Sequence, residues 1–152
     1  SKDNDSDIRV VRENNTLVIK GKHKGISIEK RVVIDEAPWH QATSLSLRGF
    51  ALSDEQERVF WFLRSDCMRA VKFNALKEGV EQIQIGDRTY SAFRIIIRPV
   101  GIKSVFWKGI YWFSKDDGIL LKFLGAAGLP GVAVSEIVLV GCKNTPDSLP
   151  RK

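Results

Sequence analysis

From Ile83 to Phe123 the chain alternates apolar stretches of strand length with turn residues, and no helical period interrupts them. Ile83-Gln84-Ile85 gives way to Gly86-Asp87, and Phe93-Arg94-Ile95-Ile96-Ile97 to Pro99 and Gly101. Phe106 to Phe113 then runs into Ser114-Lys115-Asp116-Asp117-Gly118, and Ile119-Leu120-Leu121-Lys122-Phe123 follows. Short apolar runs bounded by Gly, Pro and Asp predict an antiparallel meander with tight hairpins.

The rest of the chain reads in the same way. Leu17-Val18-Ile19 lies between Asn14-Asn15 and Gly21, and the basic cluster Lys20, Lys22, His23 and Lys24 reads as a solvated hairpin tip. Beyond it Ile26, Ile28, Val32 and Ile34 share one parity, with Lys30 the exception, while Ser27, Glu29 and Arg31 fall on the other; positions two apart line one strand face. Arg69, Val71, Phe73 and Ala75 repeat the pattern, and a last strand is expected in 132–140 after the glycine-rich loop 125–131. One short helix is expected over Asp35 to Thr43, with Asp35 as cap and Pro38 in the first turn. Ser53-Asp54-Glu55-Gln56 has the look of a capping box, but the β-rich run Arg58 to Arg64 follows at once and makes it a turn. About ten strands are more than a flat open sheet holds without curling. The expectation is one all-β domain over 1–152: a strongly curved antiparallel sheet or incomplete barrel with at most one or two short helices. The polar ends 1–7 and 144–152 are expected to be disordered.

Several strands are apolar on both faces: Val59 to Leu63, Ile95 to Ile97, Phe106 with Trp107, Ile110 to Phe113 and Ile119 to Leu121. Such strands need cover on both sides, and no segment carries a sustained helical period to supply it. The second layer is then another part of the curled sheet, a bound apolar ligand or a partner chain. A concave face lined by Trp61, Phe62, Phe106, Trp107, Trp112 and Phe113 is the candidate seat for a lipid or other apolar molecule. The competing reading is that these rings simply fill a core.

Composition narrows the function classes. The 152 residues are 43% hydrophobic with a net charge of +6, enough core for a domain that needs no metal or disulfide staple. The excess charge is spread along the chain, so it reads as a solvated basic surface, with no nucleic acid expected as partner. The two cysteines, Cys67 and Cys142, fit either one disulfide or two thiols. With His23 and His40 as the only histidines, no multi-histidine metal site is possible, and no cofactor is expected. Asp116-Asp117-Gly118 lacks the spaced ligands of a calcium loop and is explained by a hairpin. A thiol hydrolase on Cys67 and His40 requires a contact that spacing cannot supply, so a non-enzymatic role is expected.

Leu45-Ser46-Leu47-Arg48, then Gly79-Val80-Glu81-Gln82-Ile83 with Thr89-Tyr90-Ser91-Ala92-Phe93-Arg94, and above all Trp112-Phe113-Ser114-Lys115-Asp116-Asp117-Gly118, resemble an uncharacterised family of bacterial periplasmic or lipoprotein-like β-proteins. That family is similar in architecture to the lipoprotein-localisation factors, whose incomplete barrel cradles acyl chains. The resemblance spans roughly Leu45 to Val140 and implies an envelope location, a removed N-terminal segment with SKDNDSD as a tether, and oxidising conditions for Cys67 and Cys142. It implies no catalytic residues. Alternatively, an exposed sheet face or edge would make the chain an assembly module that binds another protein or a second copy of itself.

Overall fold

The computed structural model describes residues 6–41, 43–64, 67–101, 107–127 and 135–138. Along the chain run β1 (Asp7–Glu13), β2 (Thr16–His23), β3 (Ile26–Val33), β4 (Trp39–His40), α1 (Thr43–Leu52), β5 (Glu57–Arg64), β6 (Arg69–Ile85), β7 (Arg88–Pro99), β8 (Trp107–Ser114), β9 (Leu120–Ala127) and β10 (Ser135–Val138). The first three strands form a small meander. The others form a seven-stranded sheet in the order β10-β9-β8-β7-β6-β5-β4, which curls into a half-barrel. All pairs are antiparallel except β4 with β5. The fold is therefore the curved all-β architecture that the alternation pattern predicts.

Three expectations are corrected. Asp7 belongs to β1, a strand the polar flanks had hidden, and is not part of a tail. No helix starts at Asp35; Trp39 and His40 instead pair with Trp61 and Phe62, and the helix is α1, which starts eight residues later at Thr43. Its Leu47, Phe50 and Ala51, three and four apart, are fully buried. The stretch hides this signal because Leu45-Ser46-Leu47 alternates as a strand does, and because Gly49 and its hydroxyl residues are weak helix formers. The Ser53 segment is indeed not a helix start: Ser53 ends α1, its Oγ donating to the Phe50 carbonyl at 2.8 Å. Finally, the concave side has a helical cover after all. Leu47, Phe50 and Ala51 pack with Phe60, Ala75, Ile95, Ile97, Tyr111 and Phe113 into the main core.

Turn residues hold the hairpins as the sequence predicts. Asn14, Lys24 and Gly25, Gly86 and Gly118 all have positive φ. The β8–β9 turn docks on α1: Arg48 Nε donates to the Asp117 carbonyl at 2.9 Å, and a Cβ on Gly118 would lie 2.9 Å from Leu52 Cδ1. β6 is one continuous strand of 17 residues, bent by a register shift between Lys77 and Gly79, where φ is +137.

On the convex side, Ile96, Ile110, Trp112 and Leu121 form a second cluster with Ile83, Ile85, Tyr90 and Leu124. Trp112 is roofed by charge: Arg94 and Lys122 lie 5.9 and 5.5 Å from its ring centroid, and its Nε1 donates to Glu81 Oε2 at 2.9 Å. The β1–β3 meander covers a third patch, packing Ile8, Val10, Ile19, Ile28 and Val32 around Leu63 and Met68. Ile26, of the same parity, is exposed. The two-faced strands thus find their partners within the chain: α1 on the concave side, the meander over Leu63 of β5, and Ile83, Ile85 and Tyr90 of the β6–β7 hairpin beside Ile96, Ile110 and Trp112.

Asp35 is the hub between meander and half-barrel. Its carboxylate accepts from Trp61 Nε1 at 2.7 Å, from the Ala37 amide at 3.0 Å and from Lys72 Nζ. The Lys72 bond, with those of Trp61 and Ala37, holds its pKa down from 3.8 to about 2. The ion is favoured in the folded state, so this stabilisation is present above pH 3.8 and fades as pH falls toward about 2. We expect denaturation midpoints of the wild type to fall across that window and those of Asp35→Asn to be lower at neutral pH and flatter through it. A wild-type acid profile identical to the variant's would refute the linkage.

Candidate functional site: an apolar cavity at one end of the half-barrel

Strand directions decide where the concave face is left open. β5 and β8 run oppositely along the half-barrel, so the C-termini of β5 and β7 and the N-termini of β6 and β8 gather at one end. Thr43, the first residue of α1, lies there too. A ten-residue helix is about 15 Å long, whereas an eight-residue strand is about 26 Å. The helix therefore covers only the far part of the concave floor. Below its first residue a partly open cavity of about 730 Å³ remains.

Its wall is built by alternation: Phe60, Phe62 and Arg64 from β5, Val71 and Phe73 from β6, Ile97 and Pro99 from β7, Trp107 and Tyr111 from β8. Phe73 stands edge-on to Trp107 at 5.5 Å and to Phe62 at 6.1 Å. Gly109 makes room for these rings: a Cβ there would approach Trp107 Cη2 to 2.9 Å and Phe123 to 3.1 Å. Arg64 and one hydroxyl pair interrupt the apolar surface; the pair, Thr43 Oγ1 and Tyr111 Oη at 3.2 Å, pins the start of α1 to the wall. Burial raises the Tyr111 pKa, so the phenol stays protonated.

Of the six residues expected in the concavity, Phe62 and Trp107 line the cavity. Phe113 is on the same face but lies fully buried beneath α1. Trp61 and Trp112 lie on the convex side, Trp61 bonded to Asp35 and Trp112 in the second cluster. Phe106 lies outside the described residues. The expectation missed Phe60, Arg64, Val71, Phe73, Ile97, Pro99 and Tyr111. Parity could have found part of this set, because Phe60-Phe62-Arg64 and Val71-Phe73 each share a face of one strand.

The titratable candidates do not assemble. Cys67 is an exposed thiol in the turn after β5, and Cys142 lies outside the described residues. The His40 ring lies tilted against Phe60, with centroids 5.0 Å apart, burial lowers its pKa, and its Nε2 has no partner among the described residues. No three His, Cys, Asp or Glu side chains gather among the described residues.

Fold and cavity together define a class: an all-β half-barrel with a short helix laid in its concave side and an apolar, partly open cavity beyond the helix's first turn. Comparison with family models, with curated proteins and with solved structures finds no match to the chain.

Proposed function

We propose that the protein is a non-enzymatic carrier or sensor of the cell envelope that takes one apolar chain, such as a lipid acyl chain, into this cavity. The observation that carries the reading is a space of about 730 Å³ walled almost entirely by aromatic and aliphatic side chains. That volume falls in the range of small-molecule sites, about 300–1,000 Å³. The walls offer shape and desolvation, with polar chemistry confined to Arg64 and the Thr43–Tyr111 hydroxyl pair, which suits a ligand recognised by its hydrocarbon. Burying ten methylenes contributes about 8 kcal/mol at ~0.8 kcal/mol each, a gross value near micromolar affinity before ordering costs. The envelope location rests on the resemblance of the turn-and-strand segments to periplasmic β-proteins, and fractionation of cells expressing the full-length gene product tests it.

The binding test is displacement of the neutral fluorophore N-phenylnaphthylamine by fatty acids, together with native mass spectrometry of freshly purified protein. Val71→Trp, which fills the cavity from a half-buried wall position, is expected to weaken binding at least tenfold while leaving the melting temperature within a few degrees. Unchanged binding by this variant, or no binding by the wild type, ends the proposal. A second reading has one observation in its favour. β10 is the edge of the sheet among the described residues, and its Ile137 is 62% exposed. An added strand from another chain would cover it. Light scattering over a hundredfold concentration range tests this, and a constant monomer mass ends it.

A further inference from the structure

We propose that the Thr43–Tyr111 hydroxyl pair is a recognition site for a neutral oxygen acceptor, a ketone, ester or alcohol oxygen, carried on the innermost part of the cavity's ligand. The proposal rests on the cavity reading and adds what chemistry is selected inside it. Hydroxyl counting carries the argument. Two hydroxyls bring two protons, and the bond between Thr43 Oγ1 and Tyr111 Oη uses one of them. The other proton sits on whichever oxygen accepts, and neither oxygen has a further partner among the described residues. A donor in an apolar wall is costly to leave without an acceptor, so a ligand oxygen beside the pair is favoured over a methyl group.

Packing fixes the pair in place. The Tyr111 ring lies against Phe123 at 4.6 Å and stacks on Phe113 at 6.0 Å. Thr43 is anchored as the first residue of α1, and its β-branched side chain is stiff. A donor held in this way loses little freedom when a ligand arrives.

Strand register puts the pair at the inner end of the cavity and decides the charge of the group it takes. Phe60, Phe73 and Pro99 share one rung across β5, β6 and β7. Tyr111 pairs with Ile95, which precedes Pro99 by four residues and lies further in, whereas Arg64 follows Phe60 by four and lies further out. The backbones of Tyr111 and Arg64 are thus separated by about eight residues, or ~26 Å, along the strands. A carboxylate beside the pair would gain one donor and no cation, and a buried charge paired so poorly is expensive. Arg64 belongs to the other end and already has an interaction of its own. Lys77, across from Ile95, is held by the Ser53 carbonyl at the far end of α1. A carbonyl or alcohol oxygen needs only a single donor, which the pair supplies.

The test is displacement of N-phenylnaphthylamine by decan-2-one and by 2-methyldec-1-ene, in which a methylene group replaces the carbonyl oxygen. Thr43→Val with Tyr111→Phe removes both hydroxyls together and keeps the outline of each side chain, so the melting temperature should stay within a few degrees. Ketone affinity should fall about tenfold in this variant, the worth of one neutral hydrogen bond. The alkene should bind no more weakly than to the wild type, and decanoate and the fluorophore should each change less than twofold. Thr43→Ser, which keeps the hydroxyl, should retain the wild-type affinity for the ketone. Unchanged ketone affinity in the double variant, equal losses for ketone and alkene, or a loss for decanoate as large as for the ketone overturns the proposal and leaves the cavity reading standing. Loss of fluorophore affinity in the double variant would make the pair a structural tie and overturns the proposal as well. If the wild type does not bind the fluorophore, the cavity reading fails and this proposal fails with it.

Discussion

Replacing Phe50 with alanine should destabilise the protein by about 3–5 kcal/mol, the usual cost of deleting a fully buried phenylalanine. Phe50 is 0% exposed and is the largest side chain that α1 places in the core. Its ring also faces two cations, Arg58 and Lys77, each 5.2 Å from the centroid. Lys77 is held there by its bond to the Ser53 carbonyl at 2.6 Å, and burial lowers its pKa. Truncation leaves a void between helix and sheet and takes the ring face away from both cations. For a domain of this size each kcal/mol moves the melting temperature by about 2–4 °C, so the shift should be roughly 6–20 °C. Phe62→Ala is the contrast: its ring borders space that is already open, so little new void forms and the loss should be well under half as large. Urea denaturation of both variants checks this, and equal losses would mean that α1 does not close the core as described.

Gly21→Ala is expected to have the next largest effect, and a local one. Gly21 sits in β2 opposite Ile8 of β1 with φ at +143. A side chain there is strained by about 1–3 kcal/mol from the backbone alone. Its Cβ would also overlap the Asp7 carbonyl oxygen and lie 3.0 Å from Ile8 Cα. These are backbone atoms, so the clash is relieved only by moving β1. Hydrogen exchange should show loss of protection in β1 and the facing part of β2, with the β6–β7–β8 core unaffected. Protection that falls evenly over the whole chain would mean that the meander and half-barrel unfold together.

Both variants act where the sequence was hardest to read. Phe50 lies on a helix whose first half alternates as a strand does, and only the packing of Leu47, Phe50 and Ala51 against Phe60 and Ile95 shows its period. Gly21 stands between Lys20 and Lys22 in a basic stretch, and its partner β1 carries charge at Asp7, Arg9, Arg12 and Glu13, so single-chain alternation gave no reason to pair them. The wall residues Phe60, Val71 and Phe73 were legible as members of strands, but not as members of one wall.

The sequence by itself determined most of the strands, though not β1 or β4, most of the turns and the curling of the sheet. These follow from local chemistry: period-two alternation, Asn14, Gly25, Gly86 and Gly118 at positions that need positive φ, and more strands than a flat sheet accommodates. Tertiary structure alone decided which aromatic rings face inward. Six consecutive residues of β8, Gly109 to Ser114, are buried, so no polar position marks a side, and the parity that puts Tyr111 in the cavity wall and Trp112 outside is set only by pairing with β7 and β9. The cavity is likewise a tertiary product: it exists because α1 is shorter than the strands beneath it and begins part-way along them.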